Sequence, residues 1–333
     1  MKKKVFKTIS LLVGLSIGLL LGELASRVFL FGIDAFSYRK MQSMTKLAFT
    51  GYLQPAKSNK VLYELKPNIQ GVFKGRPLIT NSYGLRDQEY TLTKSDNKIR
   101  GVVLGDSFTM GSGITLEDTY HYILEEELNK NEAGDIQFEI INFGTSGYNL
   151  LNYQGLMEHK IDAFSPDFIL IGFCAYNDYY LPRQSHYNGK FKAKSPKDTT
   201  NPFFKFYLLE IIKSQLGLVE MNRNHKVVIG KEETAFINDM FGQFAQKSQE
   251  LNIPVFIHYL AYHPDQGNLP LIKQIANKHH LHFIDSFDQL DTDHPEKYTL
   301  NLLDSHPNQY ANEIFANSIL TFPAFRALIQ RLQ

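Results

Sequence analysis

From Arg100 onward, apolar runs of strand length alternate with stretches of helical periodicity, a pattern that few architectures accommodate. The runs cover residues 101–104, 138–143, 168–174, 255–260 and 282–287, with helical stretches around 119–129, 150–164, 233–250 and 271–280. A strand that is apolar on both faces has to be covered on both faces. Near-continuous apolar strands separated by helices therefore predict an α/β architecture, a parallel sheet between two layers of helices. With 333 residues, 43% of them apolar and 21% charged, the chain has the means to bury such a core.

Two stretches depart from the alternation. Residues 34–97 are polar and turn-rich, with Pro55, Pro67, Pro77, Gly71, Gly75 and Gly84, and read as a linker followed by a few short strands. Between Tyr180 and Lys231 the chain is rich in Lys, Asn, Pro and Phe and contains a helix-like patch at 203–216. An insertion of this length after a strand is a substrate-facing cap or a flexible excursion. Five aromatics (Tyr187, Phe191, Phe203, Phe204 and Phe206) favour the cap. The predicted organisation is thus a segment 1–33, a linker and accessory strands over 34–97, and a main domain 98–333 with an insertion around 181–231.

The N-terminus reads as an address. Lys2, Lys3 and Lys4 precede an uncharged stretch at 8–22 rich in Leu, Ile, Val and Gly. The apolar pattern resumes beyond Glu23 and Arg27, which stand four apart and so face each other on a helix. Small residues at the −3 and −1 positions of a cleavage site are poorly matched, which favours an uncleaved single-pass anchor over a cleaved signal. Lysines before the span keep the N-terminus cytoplasmic and the remainder extracytoplasmic, periplasmic or at the cell surface.

Composition excludes other classes. Lys and Arg total 35 against 34 acidic residues, a net charge of +1, with no basic stripe for nucleic acid. The single cysteine, Cys174, cannot form an internal disulfide and reads as a buried thiol. His279, His280 and His282 cluster in sequence but sit at a helix-to-strand junction, where neighbours point in different directions, so no metal site is expected there. Asp285 reads as a strand-end cap. Gly111-Ser112-Gly113 lacks the lysine and spacing of a phosphate-binding loop.

The chemistry lies at the strand exits. The first strand ends in Gly105-Asp106-Ser107. A serine there sits where open α/β sheets bind ligands, although a helix N-cap reads equally well from these residues alone. The second strand leads into Asn142-Phe143-Gly144-Thr145-Ser146-Gly147-Tyr148-Asn149, and the third into Ala175-Tyr176-Asn177-Asp178. Asp304-Ser305-His306-Pro307-Asn308 precedes the last helical stretch. A parallel sheet would bring all four blocks to one edge. Serine, a glycine N–H, an asparagine amide and an Asp-His pair together make an acyl-transfer set.

In this order the blocks resemble the SGNH (GDSL-type) hydrolase superfamily, over about residues 100–322 with the insertion outside the match. The resemblance implies a three-layer, flavodoxin-like, doubly wound parallel sheet and esterase or lipase activity. It implies Ser107 as nucleophile, His306 as general base, and Asp304 as the residue holding the imidazole. It implies an oxyanion hole from the Ser107 N–H, a glycine N–H and the Asn177 side chain. Gly144 and Gly147 both qualify, and the count from Asn142 favours Gly147. The stretch Asn81-Ser82-Tyr83-Gly84-Leu85-Arg86-Asp87 is similar to that of bacterial members with one N-terminal membrane helix that handle acyl groups on cell-surface polysaccharide. The expected activity is therefore hydrolysis of a small acyl ester, an O-acetyl group on a carbohydrate, with no metal or organic cofactor. An O-acyltransferase using the same residues, and a non-catalytic binding protein of the same fold, are the competing readings.

Overall fold

The computed structural model describes residues 2–45, 49–130, 136–180, 201–216, 229–261 and 268–333. It opens with helix α1 (Lys2–Phe31), a 3-10 turn (Gly32–Phe36) and the short helix α2 (Tyr38–Gln42), whose N-cap Ser37 accepts from Lys40 N–H. Two small antiparallel hairpins follow: β1 (Leu53–Pro55) with β2 (Tyr63–Leu65), and β3 (Gln70–Phe73) with β4 (Arg76–Ile79). The 34–97 stretch does hold short strands, and α2 is an addition to that expectation.

The alternating region begins with β5 (Lys98–Gly105), α3 (Ser107–Met110), α4 (Tyr120–Lys130), β6 (Gln137–Asn142), α5 (Leu150–His159) and β7 (Phe168–Cys174). Within the insertion, α6 spans Tyr207–Gln215. Then come α7 (Lys231–Leu251), β8 (Val255–Leu260), α8 (Asn268–Lys278), β9 (His282–Asp285), the hairpin β10 (Thr299–Asn301) and β11 (Asp304–Pro307), and helices α9 (Gln309–Thr321) and α10 (Pro323–Leu332).

Strands β5 to β9 form one parallel sheet in the order β6-β5-β7-β8-β9, the doubly wound flavodoxin-like order. Side chains alternate along each strand, so β5 sends Val102 and Leu104 to one face and Val103 to the other. On the first face they meet Tyr153 of α5, Phe241 of α7 and Ile272 of α8. On the second, Val103 joins Tyr120 and Leu124 of α4 and Phe315 of α9. Each such fully buried side chain contributes about 1.5–3 kcal/mol relative to exposure, which is why continuous apolar runs select this three-layer solution.

Strand order reverses between β5 and β7. The chain winds outward from this point in both directions, leaving a crevice at the carboxyl ends of the two strands. Ser107 follows one of those ends and Asn177 the other. Cys174 ends β7 fully inside the second cluster. His279 reaches Asn238 (3.2 Å) while His282 stacks on Phe256, ring centroids 4.7 Å apart, and Asp285 caps the following turn by accepting from Phe287 N–H (2.9 Å).

Helix α1 is long and apolar enough to cross a membrane, whether as an anchor or as a signal sequence. Glu23 and Arg27 do face each other across one turn, at 2.7 Å.

Candidate active site

The Asp106-Ser107 turn is a helix N-cap, one of the two readings that the sequence left open, and the same turn places Ser107 beside His306. Asp106 is the N-cap of α3, its carboxylate accepting from Phe108 N–H at 2.8 Å. That cap leaves Ser107 as the first helical residue, at the mouth of the crevice. Its Oγ lies 3.0 Å from His306 Nε2. On the other side of the ring, His306 Nδ1 lies 2.6 Å from Asp304 Oδ1.

One residue separates Asp304 from His306, and β11 explains how that spacing works. In an extended strand, residues i and i+2 share a face, so Asp304 and His306 stand side by side. The Asp304 carboxylate also accepts from the His306 backbone N–H at 3.1 Å. With Nδ1–H donating to Asp304, Nε2 presents its lone pair to the Ser107 hydroxyl.

Lys74 completes this cluster, and sequence reasoning did not find it. Its Nζ donates to Asp304 Oδ2 at 2.6 Å and lies 2.8 Å from His306 Nδ1. Lys74 and Gly75 form the tip of the β3–β4 hairpin, both with positive φ (50° and 78°). A Lys-Gly pair between two short strands is a recognisable turn signal, but nothing in it points to a loop 230 residues away. Burial alone would raise the Asp304 pKa. The hydrogen bond from His306 and the positive charges of His306 and Lys74 outweigh it, holding this carboxyl well below the usual carboxylate range.

The two glycines of the second block separate cleanly. Gly144 N–H donates to Asn142 Oδ1 at 2.7 Å, and a Cβ there would press on Met110 N at 2.5 Å. Gly147 sits in a turn at φ +85°, and its N–H has no acceptor among the described residues. A Cβ on Gly147 would stand 2.7 Å from the Tyr63 hydroxyl, which donates to Ser146 O at 3.0 Å. Tyr63 thus braces this turn from the β1–β2 hairpin.

The Asn177 side chain donates from Nδ2 to Asp106 Oδ2 at 2.9 Å, joining the third block to the nucleophile turn. An amide nitrogen carries two hydrogens, so one remains for a ligand. Asp106 is completely buried. Burial pushes its pKa up, against the hydrogen bonds from Phe108 N–H and Asn177. Asp178 is buried as well and accepts from Cys174 N–H (2.7 Å) and the Tyr153 hydroxyl (2.8 Å). Those contacts lock the turn that carries Asn177.

The Asn81–Asp87 stretch supports the site from behind. The buried Arg86 guanidinium donates to the carbonyls of Met110, Gly111 and Ile114, each at 2.7 Å, and to Pro77 O at 3.1 Å. Burial lowers its pKa to about 10, which still leaves it charged at neutral pH. Next to it, Asp87 accepts from Asn142 N–H at 2.8 Å. One dipeptide therefore fastens both the loop after Ser107 and the start of the second block.

A cavity of about 610 Å³ lies on the Asp304 side of the cluster, lined by Lys74, Asp304, Leu300, Phe31 and Tyr207 among others. The described part of the insertion, 201–216, packs along α1 at that cavity. Phe203 and Phe204 pack against Tyr38. Tyr187 and Phe191 lie outside the described residues. Among the described residues no group of His, Cys, Asp and Glu is placed to hold a metal ion.

Fold and site together define an α/β protein with Ser, His and Asp aligned at the switch point of its sheet. Among solved structures the chain is similar to LAE5, an alpha/beta hydrolase enzyme from the metagenome of Lake Arreo, Spain. The TM-score is 0.42 with 12% identity, covering 71% of this chain and 96% of that one. It is similar to TesA, with TM-score 0.42 and 11% identity over 70% of this chain and 99% of that one. It is also similar to Axe2, an acetylxylan esterase from Geobacillus stearothermophilus, with TM-score 0.41 and 16% identity over 67% and 92% of the two chains. No family model and no curated protein matches the sequence.

Proposed function

We propose that this chain is a membrane-anchored serine esterase of the SGNH type that cleaves small acyl esters, O-acetyl groups on a cell-surface carbohydrate, through an acyl-Ser107 intermediate. The observation that carries the reading is the hydrogen-bonded line from Ser107 Oγ through the two His306 nitrogens to Asp304, at 3.0 and 2.6 Å. His306 takes the hydroxyl proton as Ser107 Oγ attacks the ester carbonyl, then gives it to the departing sugar oxygen, which leaves as the free hydroxyl. A water activated by the same imidazole resolves the acyl-enzyme. The Ser107 and Gly147 N–H groups and the Asn177 amide are the proposed donors to the oxyanion. Phe108 packs its ring 5.8 Å from the His306 ring and 5.9 Å from that of Tyr176, centroid to centroid. The carbohydrate assignment rests on the resemblance of the Asn81–Asp87 stretch to surface-acting members, and the anchor on the apolar α1.

An ethyl p-nitrophenyl phosphonate ester tests the nucleophile directly. It should leave one phosphonyl group per chain, found on the Ser107 peptide by mass spectrometry, with activity lost in proportion. Labelling elsewhere with retained activity would reject the assignment. Chain length follows from p-nitrophenyl esters, with acetate expected to be turned over faster than butyrate or octanoate.

Asn177→Ala should lower kcat by about a hundredfold to a thousandfold, the usual effect of losing one oxyanion donor. KM should move less, because the amide acts on charge that develops in the transition state. A kcat within twofold of wild type would remove Asn177 from the oxyanion hole and leave it as a brace for Asp106.

A further inference from the structure

Residues 201–216 carry an exposed apolar face and are joined to α1 by hydrogen bonds at Glu23 and Arg27. Helix α1 has 30 residues and is about 45 Å long, against a hydrocarbon core of about 30 Å. Its uncharged part ends at Gly22. The ion pair of Glu23 and Arg27 then falls at one edge of the span, and neither charge depends on the other alone. Glu23 Oε2 accepts from Leu208 N–H at 2.9 Å. Arg27 donates to Phe203 O at 2.8 Å and to Lys205 O at 2.7 Å, its guanidinium 5.5 and 5.4 Å from the Phe203 and Tyr207 ring centres. Gly22 leaves room for Leu208 to lie against the helix. The insertion thus satisfies the charged residues of α1 where bilayer would otherwise meet them.

The faces of α6 are sorted accordingly. Tyr207 and Ile211 pack inward with Leu30 and Met41. Glu210 lines the cavity beside Asp304 and pairs with Lys213. Leu209, Ile212 and Leu216, spaced three and four apart, form an outer stripe that is 45%, 44% and 65% exposed. Phe204 and Phe206 are exposed as well, and so are Leu24, Val28 and Phe29 of α1, which flank the Arg27 that holds Phe203 and Lys205. Exposed apolar side chains on two elements held together beside a membrane-length helix fit lipid rather than water.

We infer that residues 201–216 form a membrane-interface collar whose Phe204, Phe206, Leu209, Ile212 and Leu216 insert into the outer bilayer surface beside α1. This rests on the anchor reading of α1 and adds a second, independent lipid contact. The collar fixes the height and tilt of the catalytic domain, so that the cavity bounded by Phe31, Tyr207 and Asp304 faces the membrane surface.

The chain contains no tryptophan, so single tryptophans report on depth without background. Full-length Leu15→Trp, Ile212→Trp, Phe204→Trp and Leu92→Trp are reconstituted in phosphatidylcholine vesicles containing lipids brominated at shallow or deep acyl positions. Leu15 lies in the span, whereas Leu92 is exposed at the opposite end of the sheet, near the start of β5. Emission from Ile212→Trp and Phe204→Trp should fall about twofold with shallow bromines and less with deep ones. Leu15→Trp should respond most to deep bromines and Leu92→Trp to neither. If Leu15→Trp is quenched while both collar variants behave like Leu92→Trp, the collar is overturned and the anchor stands. If Leu15→Trp is itself unquenched, the anchor fails and the collar with it.

Discussion

Ser107→Ala should reduce ester turnover by roughly 10⁵-fold or more while the protein stays folded. The magnitude follows from the number of things the hydroxyl does at once. In the proposed mechanism it supplies the atom that bonds to the acyl carbon and the proton that His306 takes, across 3.0 Å. Alanine removes both, leaving only binding and the proposed oxyanion donors. The structural cost is small by comparison. Ser107 makes one good side-chain hydrogen bond and a long one to Asp106 (3.4 Å), and the helix cap belongs to Asp106, which the substitution leaves in place. Loss of one such bond is worth about 1 kcal/mol, a shift of a few degrees in the melting temperature. Hydrolysis of p-nitrophenyl acetate and the circular-dichroism melt, measured on the same detergent-solubilised preparation, separate the two effects. A folded Ser107→Ala protein with more than a few per cent of wild-type turnover would require another nucleophile.

The sequence disclosed those parts of the site that depend on local pattern. Val102, Val103 and Leu104 announce a buried strand, so Ser107 reads as a strand-exit residue, and the same logic places Gly147 and Asn177 at neighbouring exits. Asp304 and His306 needed one further fact, the extended conformation of β11, which no periodicity marks in a four-residue strand. Parts set by tertiary closure were not legible. Lys74 reaches Asp304 from a hairpin preceding the sheet, and Arg86, although part of the Asn81–Asp87 stretch, shows its role only once its guanidinium is seen among four carbonyls. The insertion was only partly legible for a related reason. Its aromatics suggest packing without saying against what, and the described residues lie along α1 because Glu23 and Arg27 need partners there.

Asp304→Asn should lower kcat about ten-thousandfold, and Lys74 gives the loss a specific cause in this protein. The wild-type carboxylate accepts from His306 Nδ1–H with one oxygen and from Lys74 Nζ with the other, at 2.6 Å each. Its depressed pKa keeps it ionised across the working range, so protonation of Asp304 does not limit activity at mildly acidic pH. Asparagine offers one acceptor to these two donors. A half-buried ammonium group against it has the stronger claim, so the amide oxygen turns to Lys74 and the NH₂ group turns to His306. Nδ1 must then accept, which moves the ring proton to Nε2 and removes the lone pair that Ser107 needs. Taking away the ammonium reverses that preference. Lys74→Met in the Asp304→Asn background should recover about tenfold in kcat, or about 1.4 kcal/mol, because the amide oxygen is free to face Nδ1–H again. Steady-state kinetics on the single and double variants decide between the possibilities. An Asp304→Asn enzyme within tenfold of wild type would reduce the site to a Ser-His dyad. A double variant no faster than the single one would show that the loss comes from the missing negative charge, not from a reversed tautomer.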